Sequence, residues 1–428
     1  MPQSSLPPTP LTAERSPWLR GPVRVPGEPG LSHLALVLAA LARGDSVLEG
    51  LAAGPATRAV ARLLDGLGAG VTERAGRWHV QGIGGLLAPL GPLDFSELGA
   101  AAPLLLALLA AHAFDSRVEG LAPGPPVDDL LAFLRAAGTR AVDEDGALRL
   151  RGARFAVPLD VTLPPAALAL REPLYIGALC AAGTSLVHLP PGSAGAAELL
   201  LAGFGARLAV AEDAAGQRVE IAGLAPLRPQ SFVAPADPVL AALPAIAALI
   251  APDSEVTIPA VALAPDRLGL LVALARLGGD IAFTPGPRPG TADLRVRHSR
   301  LVGTRLPASL PIAAEDRPLL AIAAAFAAGE TLIEGMAEGH HRLALTRALR
   351  DNGVECEERE GGLLVRGQPV VPGGGKVATR LDPKLAMGFL VLGMASREPV
   401  SIDDGGVMSA LFPDFVAAFE HVGASFSQ

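Results

Sequence analysis

The 428-residue sequence predicts a two-lobed α/β protein of six β-α-β-α-β-β units, three to a lobe. Three observations carry that reading. A β-rich run, a Gly/Pro/Ala loop, an amphipathic stretch, a Gly and a second β run recur together six times. Each recurrence is preceded by a helix that is apolar on every side. Each of the first five is followed by a short hairpin.

The copies begin at Val47, Val118, Leu186, Val256, Leu332 and Val400, and successive starts lie 68 to 76 residues apart. A fixed period of that size marks a repeat architecture. The amphipathic stretches, such as ATRAVARLLDGLG after Pro55, place apolar residues on one face and predict half-exposed helices. The preceding helices, such as LSHLALVLAALARG from Leu31, PLYIGALCAAG from Pro173 and LLAIAAAFAAG from Leu319, are rich in Ala and Gly. Such helices are buried with close neighbours. The segments WHVQG, LRLRG, VEIAG, LRVRH and LLVRG read as the hairpin strands. Three units share a core when their buried helices point inward, so six units make two lobes.

Composition narrows the function. Half the residues are apolar, 18% are charged and aromatic residues make up 4%, so a disordered chain is excluded. The 49 glycines and 40 prolines follow no collagen period. A net charge of −8 gives no basic footprint for nucleic acid. The longest apolar runs, Pro238 to Pro252 and Gly99 to Phe114, fall short of the roughly 20 residues that cross a bilayer. Cys180 and Cys356 cannot form a disulfide framework, which points to a reducing cytoplasm. Residues 1–20 lack an apolar signal region and read as a disordered leader.

With its six units the chain resembles the EPSP synthase (3-phosphoshikimate 1-carboxyvinyltransferase) family, nearest its class II members, from about Gly21 onward. The likeness rests on GPVRVPGEPGLSH (Gly21 to His33), PLDF (Pro92 to Phe95) and RPLLAIAAAFAAGET (Arg317 to Thr331). It continues in GGGKVATRLDPKLAMGFLVLGMA (Gly373 to Ala395), PVSIDD (Pro399 to Asp404) and FPDF (Phe412 to Phe415). The resemblance implies the enolpyruvyl transferase fold, an inside-out α/β barrel type. One lobe then spans 27–237, and the other joins 21–26 to 238–428. It also implies a small-molecule ligand in an interlobe cleft, where an enolpyruvyl group passes from phosphoenolpyruvate to shikimate-3-phosphate without metal or other cofactor. No protein partner follows from it.

Two phosphates and two carboxylates in one site require converging Lys and Arg, with an acid/base pair. Most positions matching the family motifs lack those side chains. In P-G-D-K-S-x-S-H-R the lysine is Pro29, the phosphate-contacting serine is Gly30 and the arginine is Leu34. The arginine of G-N-x-G-T-x-x-R is Pro103, and its asparagine is Glu97. In S-A-Q-x-K-S the serine and glutamine are Ala167 and Ala169, with Arg171 in the lysine's place. The base of I-D-E-x-P corresponds to Glu315, followed by Asp316. R-V-K-E-S-D-R is shortened to EGHHR, Glu338 to Arg342, and the arginine of D-H-R-I-A-M is Lys384.

The resulting expectation is a kept fold with a degenerate site, retained as a binding or interaction protein. Pro29, Gly30, Leu34, Pro103, Ala167 and Ala169 would line the cleft, leaving Arg171 and Lys384 as its main cations. Glu315 would be the remaining base, with Asp316 and Lys384 beside the ligand. The alternatives are a working synthase with re-sited cations, and a transferase or binder for a less charged ligand. Adjacent His340 and His341 lack a third ligand at suitable spacing, so no metal site is expected. GGGK at Gly373 to Lys376 lacks the Ser/Thr of a phosphate loop.

Overall fold

The computed structural model describes residues 8–136, 139–153, 156–193, 195–213 and 216–428. They fold into two compact units, 1–26 with 235–428 and 27–234. Six sheets of four strands share one plan, and six inner helices run behind them. In the 27–234 unit these helices are Pro29–Leu41, Ala102–Ala110 and Arg171–Cys180. In the other they are Pro238–Ile250, Pro318–Ala324 and Pro383–Gly393.

All thirteen residues of Pro238–Ile250 are buried, as are all nine of Ala102–Ala110. Proline stands in the first turn of most of these helices, where its missing N–H costs nothing. In the discontinuous unit the three inner helices pack on one another. In the 27–234 unit the second and third pack together, and the first lies against Pro55–Gly66 and Ala196–Gly203. No helix among the described residues is long and apolar enough to cross a membrane.

The glycine that ends each hairpin sets the distance between sheet and inner helix. A Cβ on Gly82 would lie 2.2 Å from the carbonyl oxygens of Ala39 and Ala42. On Gly152 it would meet His112 O at 1.8 Å, on Gly223 Ala181 O at 2.0 Å and on Gly367 Ala327 O at 1.9 Å. No side chain fits there. Just past each strand, a backbone N–H satisfies a carbonyl that the inner helix leaves open at its C-terminus. Gly84 donates to Ala42, Ala153 to Ala110, Leu224 to Leu179, Ser299 to Leu249 and Gln368 to Ala325, over 2.8–3.1 Å. Only the LRVRH copy has no glycine. There the His298 imidazole contacts Leu249 O through Nδ1 at 3.0 Å, so the ring itself serves the helix end.

The sixth unit corrects the expectation of a disordered leader. Leu11–Glu14 is a strand, inserted antiparallel between Val400–Ile402 and Ser425–Ser427. It occupies the place the second hairpin strand takes in the other sheets. Ala13 is fully buried, and Ser16 N donates to Met394 O at 2.8 Å, the sixth version of the helix-end bond. Four residues are too short a signal to read as a strand, and the partners of Leu11–Glu14 lie some 400 residues away in sequence. Residues 1–7 lie outside the described residues. Two further strands cross-connect the chain. Arg20–Pro22 pairs in parallel with Glu255–Ala262, and Ser231–Val233 with Arg43–Glu49.

Replacing a hairpin-end glycine forces strand and helix apart. Gly223→Ala should cost about 1–3 kcal/mol, the usual range for overpacking. Gly66→Ala, where an added Cβ meets nothing within 4 Å, should be neutral or stabilising by about 0.5 kcal/mol. Urea denaturation of the two variants checks the contrast, and equal effects would refute the constraint.

Candidate functional site

In the discontinuous unit the inner helices carry acidic residues at their N-termini. Asp237 caps Pro238–Ile250, accepting from Val239 N at 3.0 Å and from Arg267 Nη2 at 3.2 Å. Its burial pushes the carboxyl above the ordinary range, partly offset by Arg267, and Asp316 raises it further. Asp316, 6% exposed, lies in the turn that starts Pro318–Ala324. Asp382 caps Pro383–Gly393, its Oδ1 accepting from Lys384 N at 2.9 Å and Leu385 N at 3.1 Å.

Lys384 and His341 each approach one of these acids, and Arg342 follows His341 along the chain. Lys384 Nζ donates to Asp316 Oδ1. His341, in the first turn of the helix His340–Asp351, brings Nδ1 to 3.4 Å from Asp382 Oδ2. Arg342 follows it and is mostly buried, with Nε 3.3 Å from Glu358 Oε2. Arg342 Nη1 is buried and makes no hydrogen bond. Glu315 is exposed on the same turn as Asp316, which leaves its carboxylate able to reach a ligand.

The backbone entering Pro383–Gly393 is strained. Arg380 and Leu381 both adopt positive φ, 52° and 64°, and Leu381 is largely exposed. Left-handed backbone at two successive non-glycine residues is uncommon and costs of order 1–3 kcal/mol each. Behind the acids, Arg317 is 2% exposed and donates to four backbone carbonyls. Nη1 reaches Pro307 O and Glu334 O, and Nη2 reaches Ala308 O and Leu310 O, over 2.6–3.3 Å. Its role is structural: it fixes the turn that carries Glu315 and Asp316.

In the 27–234 unit the first inner helix begins at Glu28, buried, whose Oε2 accepts from Leu31 N at 2.6 Å. Pro29 and Gly30 follow it. A Cβ on Gly30 would sit 3.1 Å from that carboxylate, so the small residue makes room for the acid. Ser32 Oγ donates to Glu28 O and accepts from Ala52 N, tying the helix start to the next loop. Where a helix N-terminus can hold an anion, this chain places its own.

Arg171 starts the third inner helix. It grips Glu172 Oε1 through Nε at 3.0 Å and Nη2 at 2.6 Å, and donates to Ser193 O through Nη1. Beside it the Tyr175 hydroxyl donates to Glu198, whose other oxygen accepts from Gly195 N at 2.5 Å. Burial, and then Glu198, push the Tyr175 phenol far above its ordinary range. Ala167 is half-buried and Ala169 exposed on the turn before Arg171.

Two expected positions are corrected. Leu34 is fully buried in the first inner helix and Pro103 is buried in the second, so neither lines a ligand surface. Both sit on the inward side of largely apolar helices, whereas Gly30, one turn before Leu34, is exposed. The two cations singled out from sequence, Arg171 and Lys384, each pair with a carboxylate, Glu172 and Asp316. Sequence reasoning weighed Glu338 to Arg342 as a shortened motif and missed that His341 reaches Asp382 and Arg342 reaches Glu358. Among the described residues no group of three or more His, Cys, Asp or Glu is placed to hold a metal ion.

His33, in the same first inner helix, gives a pH signature. It is buried with Nε2 3.2 Å from Thr57 Oγ1, and burial lowers its pKa from 6.5 to about 4. The unfolded chain therefore binds a proton that the folded chain refuses between those values. Stability should fall as pH drops from about 6.5 to 4, by up to about 3 kcal/mol from this group. His33→Gln should lose visibly less stability than the wild type over that window in urea titrations. Parallel curves would refute the assignment.

The fold has counterparts among known proteins. The family model described as EPSP synthase (3-phosphoshikimate 1-carboxyvinyltransferase) matches residues 14–419. The chain is 38% identical to the 3-phosphoshikimate 1-carboxyvinyltransferase of Parvibaculum lavamentivorans, over 97% of this chain and 96% of that one. It is 35% identical to the enzyme of that name from Chelativorans sp., over 98% of each. The EPSP synthase structure from Acinetobacter baumannii superposes with a TM-score of 0.82 at 25% identity, covering 98% of this chain and all of the other. The enolpyruvyl transferase NikO from Streptomyces tendae shares the fold alone, at TM-score 0.73 and 19% identity over 98% and 99%. The chain belongs to the EPSP synthase family.

Proposed function

We propose that the chain catalyses transfer of the enolpyruvyl group from phosphoenolpyruvate to shikimate-3-phosphate, in the cytoplasm. The observation that carries this is likeness to enzymes so named along 97–98% of the chain. Basic side chains outside the expected positions support it: His341 and Arg342 lie in the first turn of His340–Asp351, and His341 reaches Asp382 at the start of the helix that carries Lys384; helix N-termini favour anions. In this reading Glu315 accepts the acceptor's hydroxyl proton as that oxygen bonds to C2 of the enolpyruvate. The methylene carbon takes up a proton, giving a tetrahedral adduct. Loss of inorganic phosphate, with return of one methyl proton, restores the vinyl group. Lys384, released from Asp316, and Arg342 stabilise the anionic ligand.

Speed is a separate matter. Each missing charge-assisted contact costs about 10²–10³ in rate. With Pro29, Gly30, Ala167 and Ala169 at motif positions, turnover should be slow.

A second reading, a fold retained for binding without turnover, draws on a different observation. Glu28, Glu172 and Asp316 already occupy the helix start and the two cations that anionic ligands would need. One assay separates the two. Purified protein supplied with both substrates should release phosphate and form EPSP above the no-protein control. Lys384→Met should abolish that product while keeping the wild-type thermal transition. No product from a folded wild-type chain, together with no rescue of an aromatic auxotroph, would establish the second reading instead.

A further inference from the structure

The sheet of Leu93–Asp94, Asp115–Glu119, Ala147–Arg151 and Arg140–Glu144 carries a charge pattern that the proposed reaction does not use. Ser116, Val118, Ala141, Leu148 and Leu150 are buried, so alternation turns the intervening residues outward. The antiparallel register sets Arg117 directly opposite Arg149 and Arg140 directly opposite Arg151. Like charges facing each other across strands destabilise a sheet. In two sheets of the other unit arginines face carboxylates instead: Arg297 lies opposite Glu255 and Asp280, and Arg366 opposite Glu330 and Glu355. One further Arg–Arg pair, Arg74 opposite Arg77, closes a hairpin where Glu49 faces Arg77 from the other side.

The four arginines line a hollow of about 560 Å³. One wall is the segment of Pro89, Leu90 and Pro92, and Leu90 is wholly exposed. Three of the arginines touch carboxylates: Arg117 with Glu119 at 2.8 Å, Arg149 with Glu144 at 3.3 Å and Arg151 with Asp115 at 3.4 Å. These pairs are exposed, and such pairs hold weakly. Arg140 is in no ion pair among the described residues. Guanidinium forks bind phosphate oxygens in pairs, which would relieve the repulsion that the register creates.

We propose that this outer sheet face is a binding site for small molecules carrying two or more phosphate groups. The claim does not depend on turnover, so it survives either outcome of the assay above.

Inorganic triphosphate is the probe. Calorimetry on the full chain should show binding at low salt that weakens steeply as salt is added. The double variant Arg140→Gln with Arg149→Gln should bind at least about tenfold more weakly. Its thermal transition without ligand should equal or exceed the wild type's, because both like-charge pairs are gone. If the double variant fails to fold, Arg140→Gln alone should still weaken binding about threefold, since that side chain is in no ion pair. Unchanged affinity in these variants would overturn the proposal. So would loss of binding in Lys384→Met alone, which would place the triphosphate at the helix termini of the other unit.

Discussion

The repeated close approach between hairpin and helix end is the constraint on which the rest of the structure depends. An inner helix of small residues leaves carbonyls open at its C-terminus, in an apolar interior where an unpaired carbonyl is costly. The chain solves this identically in each unit, by laying a strand end across the helix terminus and donating one backbone N–H. That approach leaves no volume for a side chain, hence Gly82, Gly152, Gly223 and Gly367. In the LRVRH unit Ser299 donates that bond and the His298 imidazole contacts the same carbonyl, and Ser16 supplies it for the sixth unit from the other end of the sequence. These strand-end glycines are packing devices.

Fixing the C-terminal end of each inner helix in this way leaves chemistry to the N-terminal end. There the helix dipole and free N–H groups favour negative charge. In the discontinuous unit the occupants are Asp237, Asp316 and Asp382, and Arg267, Lys384 and the His341 imidazole answer them. In the 27–234 unit the occupants are Glu28 and, beside Arg171, Glu172 and Glu198. An acid at a helix start stabilises the fold by about 0.5–2 kcal/mol. The same acid competes with any anionic ligand for the same donors. Stability and ligand affinity are therefore opposed at these positions, and the outcome turns on whether a ligand can displace a tethered carboxylate.

The fold was legible because its signal is periodic: six starts at nearly constant spacing need no long-range knowledge. The N-terminal strand was not, because Leu11–Glu14 is four residues long and its pairing partners are the farthest in sequence. The candidate site was legible only in part. Motif comparison found Arg171, Glu315, Asp316 and Lys384, yet it could not show that two of these are ion-paired to each other. It placed Leu34 and Pro103 on a ligand surface because it tracked position along the chain, not direction around a helix. His341 and Arg342 escaped because their neighbours, Asp382 and Glu358, belong to other elements.

A substitution at a ligand position can be read as a loss or as an exchange, and Gly30 shows why the difference is physical. Alone, a glycine where a contacting side chain is expected is an absence. In this fold its missing Cβ is what admits the Glu28 carboxylate to the helix start, 3.1 Å away. Pro29 adds to the same arrangement by withdrawing one N–H from the first turn, so fewer donors remain for an external anion. The three residues act as one cap: acid, proline, glycine. Changing Pro29 or Gly30 alone would not recreate an anion site, because the Glu28 carboxylate would remain at the helix start. The cap is a coherent local solution to the unsatisfied helix N-terminus, and it makes the first inner helix self-sufficient whatever the chain binds.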